Sequence, residues 1–228
     1  MSKKIKKPAE PRDAASLIML KGSPNDPVVL VGRRPKEARF MPSVWVFPGG
    51  AVEEADFQLQ TPHGLREDVL ARLTRTTAPE LAHALAWTAL REMREETGLL
   101  LGKVGDDNSA TESEAHEAYQ KAGLVPNLTA LDYLMRACTP EYQPIRFNTR
   151  FFVADGSLTS SDIWQTSELE EIRWVQLNEL PDMKIAGITG IVIKEAQQYW
   201  LRQPEPNPDR KVMFFSADMD HNRIWHEE

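Results

Sequence analysis

Between Thr77 and Leu99 the chain reads TAPELAHALAWTALREMREETGL, and this stretch narrows the possible folds more than any other. A Thr ahead of the run, Pro79 at an early helical position and Glu80 in the first turn make a helix start. Ala, Leu and Glu fill the interior, and Gly98 is placed to cap the far end. The pattern predicts a helix over Pro79–Thr97 whose last turns carry Arg91-Glu92-Met93-Arg94-Glu95-Glu96. Residues three and four apart share a helical face. Glu92, Glu95 and Glu96 are therefore expected to project to one side, while Met93, with Leu90, Ala89 and Ala86 behind it, packs into a core.

In water, like charges at this spacing cost a helix only a few tenths of a kcal/mol per pair. In a partly buried cleft, at an effective dielectric near 20, each contact at about 4 Å costs roughly 4 kcal/mol. A divalent cation reverses that sign. Hard oxygen donors with no His or Cys beside them predict Mg2+, or Mn2+, rather than zinc. The same residues also allow a plainer reading, a solvated helical face with Arg91–Glu95 pairing. Context argues for a site: VWVF (Val44 to Phe47) runs into Pro48-Gly49-Gly50, a strand entering a tight turn whose backbone a phosphate can approach without a Cβ in the way.

Short apolar runs at Ala14 to Leu20 and Val28 to Val31, separated by KGSPNDP, predict a β-hairpin. A second, shorter helix is expected from Thr111 to about Ala122, where Thr111 and Glu114 have capping-box spacing. Strands are expected at Ile145 to Asp155 and Glu170 to Leu177, and a last helix at about Pro181 to Leu201. Strands on both sides of an embedded helix, with another helix at the end, predict one α/β domain built as an α/β/α sandwich on a mixed sheet. Residues 1–13 are read as a disordered basic arm, 14–203 as the domain with an insertion at about 57–78, and 204–228 as a C-terminal extension.

With 228 residues the chain is long enough for a sizeable core, which excludes a disulfide-stapled miniprotein. The formal net charge of −7 opposes binding to nucleic acid or to an acidic membrane, so only a local basic patch is expected to hold phosphate. The single cysteine, Cys138, has no internal disulfide partner and points to a reducing compartment, the cytoplasm. The chain contains no apolar run near the roughly 20 residues that span a bilayer, and MSKKIKKPAEPR carries no apolar signal core. His63, His83, His116, His221 and His226 stand at no ligand spacing, which argues against zinc.

Gly50 followed by five residues and Asp56, and then Arg91-Glu92-Met93-x-Glu95-Glu96-x-Gly98-Leu99, resembles the Nudix box of the Nudix hydrolases. Asp56 stands where the general pattern has Glu, and 34 residues separate Asp56 from Arg91 where the pattern has seven. The long interruption is similar to the subfamily that includes peroxisomal coenzyme A diphosphatases. Leu30-Val31, Arg34 and Arg39 fit that subfamily's coenzyme A motif, while Gly32, Pro35 and Ser43 depart from it. The resemblance implies a Nudix-type fold with the catalytic helix after a glycine loop. It also implies metal-dependent hydrolysis of a phosphoanhydride in a nucleoside diphosphate linked to another moiety, with coenzyme A or an acyl-coenzyme A as one candidate.

On that resemblance, Glu92, Glu95 and Glu96 hold Mg2+ or Mn2+ with help from Gly49, and Arg91 orients a glutamate by an ion pair. Arg34, Arg39 and Gly50 face a small-molecule nucleotide-type substrate. The general base is left open among Glu92, Glu95 and an acid from a later loop, with Glu141, Glu168 and Glu171 as candidates. The insertion and the Gly102 to Ser109 loop are expected to wall the pocket, and one aromatic side chain to stack on a base. ADP-ribose, NADH and nucleoside triphosphates stand as alternative substrates, a catalytically silent nucleotide-binding module and an acidic-helix interaction protein as alternative functions, and a homodimer as one option for assembly.

Overall fold

The apolar runs ahead of the helix become strands with both faces covered. In a computed structural model that describes residues 8–38, 41–105, 114–160 and 162–228, β1 (Arg12–Ser23) and β2 (Asp26–Arg33) form a hairpin with Ser23 opposite Asp26. Both strands outrun the apolar segments, because Lys21 to Ser23 and Asp26-Pro27 continue the ladder. β3 (Trp45–Val46) and β4 (Gly49–Ala51) pair with β2 and β1. Then follow α1 (Glu67–Leu73), α2 (Pro79–Thr97), β5 (Leu100–Val104), α3 (Glu114–Lys121), β6 (Leu124–Pro126), β7 (Asp132–Cys138) and β8 (Phe147–Asp155). The remaining elements are β9 (Thr159–Ser160), β10 (Glu171–Gln176), α4 (Gly187–Arg202), β11 (Met213–Ala217) and β12 (Arg223–Glu227).

The main sheet runs β10-β2-β1-β8-β7-β11-β12, and a small sheet runs β6-β5-β9. The main sheet is mixed: β1 lies parallel to β8 and β11 to β7, and the other pairs are antiparallel. Along β1 the side chains alternate between two cores. Leu17 and Met19 pack with Leu85, Ala86, Ala89, Leu90 and Met93 of α2. Ile18 and Leu20 pack with Val192, Ile193, Ala196 and Trp200 of α4. AASLIML is uninterrupted because neither face of β1 meets water. Each such aliphatic side chain stabilises the fold by about 1.5–3 kcal/mol when fully buried. Helices on both faces of a mixed sheet are the α/β/α sandwich expected from the sequence.

Two local expectations change, at the last helix and at the segment 204–228. The last helix starts at Gly187 rather than Pro181: Leu180–Asp182 makes a 3-10 turn, and the carbonyl of Lys184 accepts from the Trp45 amide (2.9 Å), which keeps the chain extended there. The shorter helix runs Glu114–Lys121, and its expected cap, Thr111, lies outside the described residues, as do residues 1–7 of the basic arm. The segment 204–228 contributes β11 and β12 to the main sheet beside β7. Among the described residues no helix is long and apolar enough to cross a membrane.

The insertion forms α1, and its polar side chains turn to the sheet rather than to the carboxylates of α2. Arg72, with a fully buried side chain, donates to Asp68 Oδ2 (2.8 Å), Asp132 Oδ1 (2.7 Å) and the Tyr133 carbonyl (3.0 Å). Asp132 also accepts from Arg210 (2.6 Å) and the Tyr199 hydroxyl (2.8 Å), and Arg66 lies 3.2 Å from its other oxygen. α1 is thus fastened to β7, α4 and the segment ahead of β11, and Val69 and Leu73 close the α2-side core. Asp132→Ala strips three arginines of a shared acceptor, and we expect it to cost about 3–5 kcal/mol in urea denaturation. Lys121→Ala, which breaks only the exposed Lys121–Glu117 pair, should stay within about 0.5 kcal/mol.

Candidate active site

α2 ends as its sequence predicts. Gly98 takes the left-handed conformation (φ 81°), and its amide donates to the Arg94 carbonyl at 2.8 Å. A Cβ at Gly98 would lie 2.4 Å from the Trp164 ring, so glycine also lets the 162–169 loop close over the helix end. That loop is held by the Trp164 amide on the Thr97 carbonyl (3.1 Å) and by Trp164 lying over the Arg94 guanidinium (5.6 Å). The Thr166 hydroxyl accepts from the amides of Glu168 and Leu169 (3.3 and 3.2 Å), which turns the chain. Glu168 is thereby brought to Glu92 and Glu96: one carboxylate oxygen from each lies within 4.8 Å of the others.

Glu95, expected beside Glu92 and Glu96, is drawn to Arg91, whose Nη1 donates to Glu95 Oε2 (3.0 Å) and Glu92 Oε1 (2.8 Å). The Arg91 Nε and Nη2 grip both oxygens of Asp56 (2.9 and 3.0 Å), and Nη2 also reaches the Ala51 carbonyl (3.1 Å). Asp56 is almost wholly buried and accepts in addition from the Thr88 hydroxyl and the Glu53 amide (2.8 and 2.9 Å). The acid after the glycines therefore holds the arginine. Gly50 packs so closely on Glu92 that a Cβ would come within 2.2 Å of its carboxylate. Gly49 was expected to help hold a metal, and its amide donates to Glu96 Oε2 (2.9 Å).

Of the basic residues, Arg34 acts electrostatically on Glu96, and Arg39 lies outside the described residues. Glu171 pairs with Arg33 and Arg173, and Glu141 is tied by its amide to Ala217 on β11, so of the three later-loop acids it is Glu168 that joins the cluster. Sequence reading missed Trp164, Thr166 and Thr88; the Thr166-Ser167-Glu168 turn signature was the available clue to the first two.

Burial pushes the Glu92 carboxyl up to about 7 against the pull of Arg91, with Glu95 and Glu168 adding repulsion. Burial and the charge of Glu92 push Glu96 up to about 8, opposed by the Gly49 amide, and Glu168 adds to the rise. Burial raises Glu95 as well. Two buried acids and a third from a loop, all hard oxygen donors with no sulfur or imidazole in the group, fit Mg2+ or Mn2+.

The fold superposes on that of a NUDIX hydrolase of Alicyclobacillus acidocaldarius. That superposition has a TM-score of 0.61 at 29% identity, over 82% of this chain and 90% of the other. In sequence and in fold the chain is similar to Nudix hydrolases. A Caenorhabditis elegans protein provisionally named nudix hydrolase 7 is 27% identical over 188 residues, 77% of this chain. The match covers 55% of that relative, so this chain spans about half its length. The mutator MutT protein of Bacillus halodurans shares the fold, with a TM-score of 0.52 at 12% identity over 95% of this chain and 97% of its own. No family model matches the chain.

In this Nudix fold the raised carboxyls fix a pH dependence. Glu92 and Glu96 move from an ordinary 4.5 to about 7 and about 8, so the native state binds more protons than the unfolded chain between those limits. Metal-free stability therefore falls as pH rises from about 4.5 to 8, and a cation that needs both acids ionised offsets the loss. Thermal melts should show Mg2+ raising Tm by roughly 5–10 °C at pH 8.5, at about a hundredfold excess over its dissociation constant. The shift should be much smaller at pH 5.5. A larger shift at the lower pH would contradict the assignment.

Proposed function

We propose that this chain is a metal-dependent hydrolase of a phosphoanhydride in a nucleoside diphosphate linked to another moiety, with coenzyme A or an acyl-coenzyme A as the first substrate to try. The convergence of Glu92, Glu96 and Glu168 carries this reading, because the two buried acids hold protons near neutral pH unless a cation takes their place. Glu92, Glu96 and Glu168 would hold Mg2+ or Mn2+. When bound, the cation neutralises charge on the phosphoryl oxygens and acidifies water.

The chain's own residues supply the rest. Arg91 has every N–H committed, so it fixes Glu92 and Glu95 and leaves the substrate to others. Glu95, with a side chain 39% exposed and one oxygen on Arg91, takes the proton from the attacking water. Gly50 leaves the space Glu92 occupies, Arg34 meets a phosphate beside Glu96, and the 45% exposed Trp164 offers a face to a base. Arg39 is proposed as a second phosphate contact on the sequence resemblance alone.

Incubation with Mg2+ and a panel of coenzyme A, acyl-coenzyme A, ADP-ribose, NADH, diadenosine polyphosphates and nucleoside triphosphates, with products weighed by mass spectrometry, tests the reading. A split phosphoanhydride is expected, and binding without turnover across the panel sinks it. Glu95→Gln should lower turnover by about 10²–10⁴-fold with the fold intact. Glu96→Gln should lose metal-dependent turnover to a similar degree. Because glutamine copies the protonated Glu96, this variant without metal at pH 8 should melt no lower than the parent.

A further inference from the structure

β12 is one edge of the main sheet, and among the described residues no strand lies on its outer side. All five of its residues are exposed, including Ile224 and Trp225. Sheets guard such edges with lysines, prolines or bulges. The sequence here, Arg-Ile-Trp-His-Glu, carries neither Lys nor Pro, and its pairing with β11 runs without a register shift from Arg223 to Glu227. The edge is also held firmly. Val212 and Glu228 exchange both backbone hydrogen bonds (3.1 and 2.8 Å), Phe215 and Trp225 meet edge to face at 5.1 Å, and the Glu228 carboxylate pairs with Arg136.

The phase of that ladder decides what faces outward. In an antiparallel pair, residues alternate between bonding to the partner strand and pointing away from it. Val212–Glu228 is a bonded pair, and the Asp218 amide donates to the Asn222 carbonyl at 3.0 Å, in the same phase. Ile224 and His226 thus bond to β11, and the N–H and C=O groups of Arg223, Trp225 and Glu227 point outward.

We propose that this edge pairs with a second copy of the chain, β12 running antiparallel to the partner's β12 about a two-fold axis at Trp225. Trp225 then faces the partner's Trp225, Arg223 faces the partner's Glu227, and Glu227 faces the partner's Arg223. Each of these pairs exchanges both backbone hydrogen bonds. A slip of two residues keeps the hydrogen-bond phase but sets Arg223 or Glu227 against the partner's Trp225 and loses both charge pairs, and a slip of four sets Arg223 against the partner's Arg223 or Glu227 against the partner's Glu227, which like charge disfavours. A slip that breaks the phase leaves outward amides facing residues that have none to offer. Backbone phase and charge select the same register, and a self-complementary patch is what a two-fold interface requires. The two main sheets become one.

Sedimentation of the full chain tests this. The parent should sediment as a dimer of the 25.9 kDa chain. Arg223→Glu and Glu227→Arg should each weaken dimerisation at least tenfold, because each makes an edge of one sign. Mixed in equal amounts, the two variants should dimerise with each other, the acidic edge against the basic one. A monomeric parent overturns the proposal. So do single variants that dimerise as well as the parent, or a mixture that recovers nothing.

Discussion

Arg91 offers five N–H groups, and each meets an acceptor: both oxygens of Asp56, the Ala51 carbonyl, Glu92 and Glu95. These acceptors come from the end of the glycine strand, from the turn after it and from α2 itself. One buried guanidinium therefore welds the two halves of the split motif and sets the direction of Glu92. This also explains how the motif tolerates its interruption. The Asp56–Arg91 pair closes the loop from both sides, and loop-closure entropy grows only logarithmically, so 34 residues in place of seven cost about 1.4 kcal/mol.

Two polar clusters in this molecule behave oppositely. Around Asp132 three arginines serve two aspartates, and although burial alone would raise Asp68 and Asp132, the arginines hold both below the ordinary carboxylate range. Around Arg91 a single guanidinium is shared among Asp56, Glu92 and Glu95, giving the last two one hydrogen bond each, and it does not hydrogen-bond Glu96 at all. Burial therefore wins there, and both Glu92 and Glu96 rise. The first cluster is balanced and fastens the insertion to the sheet. The second is short of positive charge, and that deficit is what the proposed cation would make good.

The sequence made legible what is local and periodic. α2, its glycine cap, the burial of Ala86, Ala89, Leu90 and Met93 and the layered α/β class all follow from spacing and residue type. Contacts between distant segments were not legible. Glu168 stands 72 positions beyond Glu96, among exposed acids it resembles in every local respect, and only the closure of the 162–169 loop over Gly98 distinguishes it. Helical spacing grouped Glu92 with Glu96 and also allowed the Arg91–Glu95 pair, but it could not show that this pair would draw Glu95 away from the other two acids. Asp56 stood out only through its resemblance to the motif, and its burial against Arg91 was not legible. The insertion was expected at the pocket because loops commonly carry function. Its Arg66 and Arg72 instead found acceptors on and just ahead of β7, and its Arg75 on carbonyls of the C-terminal segment, pairings that no spacing rule encodes.

The placement of the acids on α2 adds a constraint of its own. The C-terminal end of a helix carries about half a negative charge, so a nearby carboxylate there is disfavoured by about 0.3–1 kcal/mol before any burial. Glu92, Glu95 and Glu96 occupy the last two turns, and Gly98 ends the helix immediately after them. Glu168 brings a further carboxylate to the same place. Helix dipole, mutual repulsion and desolvation all act against ionising these groups. A fold that needed only a stable helix would set acids at the first turn and bases at the last. The cation proposed for this site would turn each of these costs into attraction, and the strength of its hold would then depend on how firmly Asp56 and Arg91 keep the acids from turning away.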